Sequence, residues 1–159
     1  MRHVRSLAIL LILGIGPTLG AGPTLGAGTA RADECDGLAA RIAAAMGGKV
    51  GRRTGPSVDI RVPGGLHIDL TCRADPIVQA ASSEPTPSAA YFADLAIAAQ
   101  IVVGESAGAV QAAIATAHAT ALKERRKSFI QQNGWSASCY TDSSGSIRTL
   151  CSVGRIPQE

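Results

Sequence analysis

A serine set between two glycines, Gly104-Glu105-Ser106-Ala107-Gly108, and two carboxylates near a histidine and an arginine, Asp59, Arg61, His67 and Asp69, are the groupings in this chain that could do chemistry. A G-x-S-x-G string can hold a serine hydroxyl at a sharp turn, open to nucleophilic attack once a base takes its proton. Paired carboxylates beside an imidazole can exchange protons or hold a cation. Four cysteines, Cys35, Cys72, Cys139 and Cys151, complete the set. No C-x-x-C spacing occurs, and His67 and His118 stand in unrelated contexts, so the sequence points to no metal and no cofactor. An even cysteine count in an exported chain points instead to disulfides.

Around Ser106 the chain resembles the nucleophile elbow of the α/β-hydrolases, in the esterase and lipase branch of that family. Gln100-Ile101-Val102-Val103 stands where the elbow's strand would be, and Ala109 opens what would be its helix. The resemblance covers only these few elements and implies a serine esterase with Ser106 as nucleophile. In that family the acid and then the histidine follow the serine. Here the later candidates, His118 and Asp142, come in the reverse order, and His118 falls a few turns along the helix that Ser106 would begin. Read without catalysis, Gly104, Ala107 and Gly108 would let a neighbouring backbone approach, and Ser106 would bond its own helix carbonyls.

These residues sit in an alanine-rich run from Ser88 to Lys127, where Phe92, Leu95, Ala99, Val102 or Val103, Ala107, Val110, Ile114, Ala117 and Ala121 recur at helical steps. The basic cluster from Lys123 to Lys127 suits the negative end of a helix dipole. Unbroken, such a helix would span about 58 Å. A domain of this size is roughly 35 Å across. A bend is therefore expected between Gly104 and Gly108.

The carboxylate group lies where the apolar period is two. Val58, Ile60 and Val62 alternate with Asp59 and Arg61, and after Pro63-Gly64-Gly65 Leu66, Ile68, Leu70 and Cys72 alternate with His67, Asp69 and Thr71. A turn at Pro63 to Gly65 sets Ile60 opposite Ile68 and Val58 opposite Leu70, so the apolar faces coincide. It also sets Asp59 opposite Asp69 and Arg61 opposite His67, with Arg61 diagonal to Asp69, a solvated face on a ribbon that offers no pocket. A second hairpin runs from Trp135 to Val153 around Gly145, placing Cys139 across from Cys151, Tyr140 from Leu150 and Asp142 from Arg148. Trp135 and Tyr140 read as core or as a contact patch, core being the commoner outcome. The segment from Arg73 to Pro87, with Asp75-Pro76 and Pro85-Thr86-Pro87, reads as an exposed connection.

At the N-terminus Arg2 and Arg5 precede an apolar run from Leu7 to Ile15, then a tandem copy of Gly-Pro-Thr-Leu-Gly-Ala, then Ala30-Arg31-Ala32. This is the pattern of a signal peptide over residues 1–32, leaving one domain over residues 33–159. Arg2, Arg5 and Arg31 account for the formal charge of +3, so the processed chain is neutral and nothing marks it for nucleic acid. Glycine and proline interrupt the apolar run short of a membrane span, so no stable anchor is expected after processing. Cys35, Leu38, Ile42, Ala45 and Met46 then mark a short helix, headed by Asp33, Glu34 and Asp36 and ended by Gly47-Gly48. Cys35 on its apolar stripe and Cys72 at a strand end would staple helix to sheet.

The expected architecture is α+β: helices on one face of an antiparallel sheet built from two hairpins, with disulfides Cys35–Cys72 and Cys139–Cys151. The expected function is that of a small periplasmic or secreted, non-catalytic binding or interaction protein with a protein or small-molecule partner. The alternative is a serine esterase using Ser106.

Overall fold

In the computed structural model, which describes residues 26–156, the chain runs helix, four strands, two helices, three strands. The order is α1 (Gly26–Ala45), β1 (Lys49–Thr54), β2 (Ser57–Arg61), β3 (His67–Thr71), β4 (Ile77–Ser82), α2 (Ala89–Val103), α3 (Ala107–Glu124), β5 (Ser128–Gln132), β6 (Trp135–Thr141) and β7 (Thr149–Arg155). The strands form one seven-stranded sheet ordered β1-β2-β3-β4-β7-β6-β5, with every neighbouring pair antiparallel. The chain lays down a four-stranded meander, crosses through α2 and α3 to the far edge, and returns so that β7 closes against β4. The architecture is α+β, as expected, with two disulfides, Cys35–Cys72 and Cys139–Cys151.

Both expected hairpins form in the expected register. Val58 pairs with Leu70 and Ile60 with Ile68. Cys139 pairs with Cys151 and Tyr140 with Leu150, and the Asp142 N–H donates to the Arg148 carbonyl at 2.9 Å. Three strands extend this frame. The stretch from Arg73 to Pro87 is not an exposed connection but contains β4, paired on both sides, with Val78 and Ala80 buried beneath the helices. β1 and β5 form the two edges.

The three helices cover one face. α1 packs on β1 and β2, α2 on β4 and β7, and α3 on β5, β6 and β7. Their contact faces are largely alanine: Ala96, Ala98, Ala99, Ala117 and Ala121 are fully buried beside Leu95, Val102, Val110 and Ile114. Small side chains bring helix and sheet close but each removes little apolar area, so the Cys35–Cys72 staple between α1 and the end of β3 supplements a core poor in large residues. Trp135 is buried in that core, as the commoner outcome has it, and Tyr140 is exposed.

One helical expectation holds and another changes. The central run does break, with α2 and α3 meeting at 118°. Gly104 ends α2 at φ 84°, a left-handed conformation that favours glycine, and its N–H returns to the Gln100 carbonyl. α1 begins at Gly26, well before Asp33, so the acidic residues lie within the helix and not at its first turn. The alanines from Ala27 onward carry the helix back because they are strong helix formers. Residues 1–25 of the expected signal peptide lie outside the described residues. Among the described residues no single helix is long and apolar enough to cross a membrane, and the bent α2–α3 pair spends its apolar surface on the sheet.

Candidate functional site

Ser106 lies at a helix-to-helix turn, with no strand leading into it. It is the N-cap of α3: its backbone is extended (φ −65°, ψ 142°) and its Oγ accepts the Ala109 N–H at 3.3 Å. The hydroxyl thus satisfies one of the amides left unpaired at a helix start, rather than bonding a helix carbonyl. An added Cβ at Gly104 or Gly108 would meet open space, so neither glycine serves close backbone approach; Gly104 serves its positive φ. His118 is twelve residues further along α3, about 18 Å of helix rise. It is buried, its Nε2 bonds the Pro85 carbonyl at 2.9 Å, and its ring tilts against Phe92. Asp142 sits in the β6–β7 turn, where its carboxylate accepts the Ser144 N–H and hydroxyl, both at 2.9 Å. The structure does not bring Ser106, His118 and Asp142 together.

The four residues Asp59, Arg61, His67 and Asp69 do converge, on the face of the sheet that no helix covers. Strand alternation buries Val58, Ile60, Ile68 and Leu70 under the helices and turns their neighbours outward. The pairing sets Asp59 opposite Asp69, Asp69 opposite Gln79, and Gln79 opposite Ser152, a polar row across β2, β3, β4 and β7. Arg61 does not lie with Asp69. Its Nε donates to Asp59 Oδ2 at 3.0 Å along the same strand, while His67 Nδ1 meets Asp59 Oδ1 at 3.1 Å. Partial burial pushes the Asp59 carboxyl up, but the hydrogen bonds and charges of Arg61 and His67 outweigh it, so its pKa falls below the usual carboxylate value. Asp59 is therefore a held anion, ill-suited to take up a proton near neutrality.

Asp69 relates to its neighbours differently. Its Oδ2 accepts from Gln79 Nε2 at 3.2 Å, and among the described residues its other oxygen has no side-chain hydrogen bond. It borders a hollow of about 450 Å³ lined also by Arg52, Thr54, Asp59, His67, Gln79, Ile147 and Leu150. The pocket expected to be absent from a two-stranded ribbon arises because β4 and β7 widen the face and the β6–β7 loop raises Ile147 as a wall. Gly51 on β1 makes room for the floor, since a Cβ there would stand 2.5 Å from Asp59 Oδ2. The sequence does not single out Gln79, Ile147 or Leu150 as site residues, although Ile77-Val78-Gln79-Ala80-Ala81 does alternate in polarity at its centre.

Among the described residues no group of three His, Cys, Asp or Glu is placed to hold a metal ion. What this face offers a ligand is one carboxylate oxygen without a side-chain hydrogen bond among the described residues, an amide, a guanidinium at the rim and an apolar wall. Comparison of the chain with family models, curated proteins and solved structures returns no match.

Proposed function

We propose that this chain is an exported, non-catalytic binding protein whose ligand seats in the hollow on the helix-free face of the sheet. The carrying observation is the hollow's composition: Asp69 and Gln79 on one side, Ile147 and Leu150 on the other, within about 450 Å³. That volume is in the range of small-molecule sites, which pair an apolar wall with a few convergent polar groups. The fitting ligand is a small molecule with a hydrogen-bond donor or cationic group for Asp69 and an apolar body for Ile147. Export rests on the N-terminal charge and hydropathy pattern, and the two disulfides are consistent with an oxidising compartment. The competing reading, a serine esterase at Ser106, has less support because its hydroxyl is engaged as a helix cap and His118 is bonded elsewhere.

Equilibrium dialysis against a small-molecule extract, read by mass spectrometry, tests this reading. A compound retained by the native protein and lost with Asp69→Asn and with Ile147→Asp is expected. Retention unchanged in both variants would contradict it.

A further inference from the structure

We infer that a second hollow, where α2 ends beside β6 and β7, binds a small zwitterion of the amino-acid class. Arg155 and Trp135 take its carboxylate, and Asp75 and Glu105 take its ammonium group. The cavity measures about 410 Å³, within the range of small-molecule sites. It shares no lining residue with the hollow on the helix-free face, so this inference is independent of what that hollow binds.

Local structure brings these four residues to one corner. Ile77 pairs with Gly154, and a Cβ at Gly154 would stand 2.7 Å from Ile77 Cγ1 and 3.2 Å from the Pro76 carbonyl oxygen. The glycine thus lets the Asp75-Pro76 segment close on β7 just before Arg155. Trp135, at the start of β6, pairs with Arg155 itself. Gly104 ends α2 in the left-handed conformation and hands the chain to Glu105.

The charges at this corner are held in place but not paired with one another. Arg155 Nε donates to the Val102 carbonyl at 2.8 Å, which anchors the guanidinium and leaves both Nη groups without a hydrogen bond to the described residues. Among the described residues no ion pair joins Arg155 to Asp75 or Glu105. Opposite charges that border one cavity without neutralising each other match a ligand that carries both signs. Two coplanar Nη groups suit a carboxylate, which accepts from an arginine fork in two parallel bonds. The end of α2 adds partial negative charge beside Glu105 and favours an ammonium group there. Trp135 is the second, independent observation. It is only 5% exposed, and its indole N–H donates to no described residue. No sealed side-chain nitrogen or oxygen among the described residues lacks a partner, so this N–H keeps access to solvent, at the cavity that Trp135 lines. A donor so nearly enclosed beside a guanidinium is placed for an acceptor. An amine without a carboxylate meets only half of this site and is not expected to bind it.

Trp135 is the single tryptophan of the chain, so its indole N–H resonance reports this site alone. The test is an NMR titration of the disulfide-bonded protein with a panel of free α-amino acids, each compared with its N-acetyl and its carboxamide derivative. At least one amino acid should shift the resonance saturably, and both of its derivatives should bind about tenfold more weakly or worse, because each lacks one charged hydrogen-bonding group. Asp75→Asn combined with Glu105→Gln changes two side chains that bond no described residue. That double variant should weaken the amino acid about tenfold while its melting curve and its response to the N-acetyl form stay unchanged. A resonance unmoved by the whole panel, a derivative that binds as well as its parent, or a double variant that binds as the native protein does would each overturn the inference.

Discussion

Ser106 shows how a catalytic string and a structural need can use the same residue types. A turn between two packed helices requires a glycine for the left-handed end of the first and a small oxygen-bearing residue to cap the second. Gly104 and Ser106 meet both requirements. Ser106→Ala should then lower unfolding stability by about 1 kcal/mol, with Ser106→Asp retaining most of it, as read from urea midpoints. A fluorophosphonate probe should leave the folded protein unlabelled; stoichiometric labelling lost in Ser106→Ala would support the esterase. Asp59 gives a second expectation at this scale. Its folded pKa lies below its unfolded value of about 3.9, so its contribution to stability is present above that value and is lost as pH falls through the folded pKa. The hydrogen bonds of Ser144 lower the Asp142 carboxyl too, and the sign is the same. His67→Ala should raise the Asp59 midpoint in a carboxyl NMR titration and leave that of Asp142 in place. The convergence of Asp59, Arg61, His67 and Asp69 was legible in their alternation around one tight turn, whereas their partner Gln79 was not, because it reaches Asp69 through a strand pairing that nothing local announces.

Among the elements, α2 is fixed to the sheet by polar contacts at both its ends: near its start through Tyr91, and near its end where Arg155 Nε on β7 donates to the Val102 carbonyl at 2.8 Å. Tyr91 donates its hydroxyl to the Ala80 carbonyl at 2.6 Å and accepts the Cys151 N–H at 3.2 Å, bridging β4 and β7. Burial pushes this phenol's pKa well above its ordinary value, so it stays a neutral donor across the physiological range. Tyr91→Phe would remove both of these hydrogen bonds, and a loss of about 1–3 kcal/mol in chemical denaturation is expected. The elements legible in the sequence were those whose pattern is local: β2 with β3, β6 with β7, and an alanine run too long for the domain to hold straight. β4 was hidden because Asp75-Pro76 and Pro85-Thr86-Pro87 frame it as a loop, and Ala80 and Ala81 are weak strand formers. β1 and β5 lie at the edges, where burial on one side is partial and the apolar alternation that marks a strand is correspondingly faint.

At the scale of the molecule, an alanine-rich helical layer leaves stability dependent on its two covalent links. Cys35–Cys72 closes a separation of 37 residues and Cys139–Cys151 one of 12. By loop entropy, removing the first should cost about 4 kcal/mol and the second about 3 kcal/mol. Paired serine substitutions compared by thermal melting should show that order, with loss of the first also freeing α1 from the sheet. The same one-sided layering leaves the row Asp59, Asp69, Gln79 and Ser152 open on the face away from the three helices, where the proposed ligand would seat. The central claim is that this open face binds. Its most direct test is amide chemical-shift mapping of the disulfide-bonded protein against a library of small fragments carrying amine or guanidine groups. The expected result is that perturbations gather at Thr54, Asp69, Gln79, Ile147 and Leu150 and disappear with Asp69→Asn. Perturbations gathering instead at the α2–α3 turn around Ser106, or no fragment binding at the sheet face, would contradict the account.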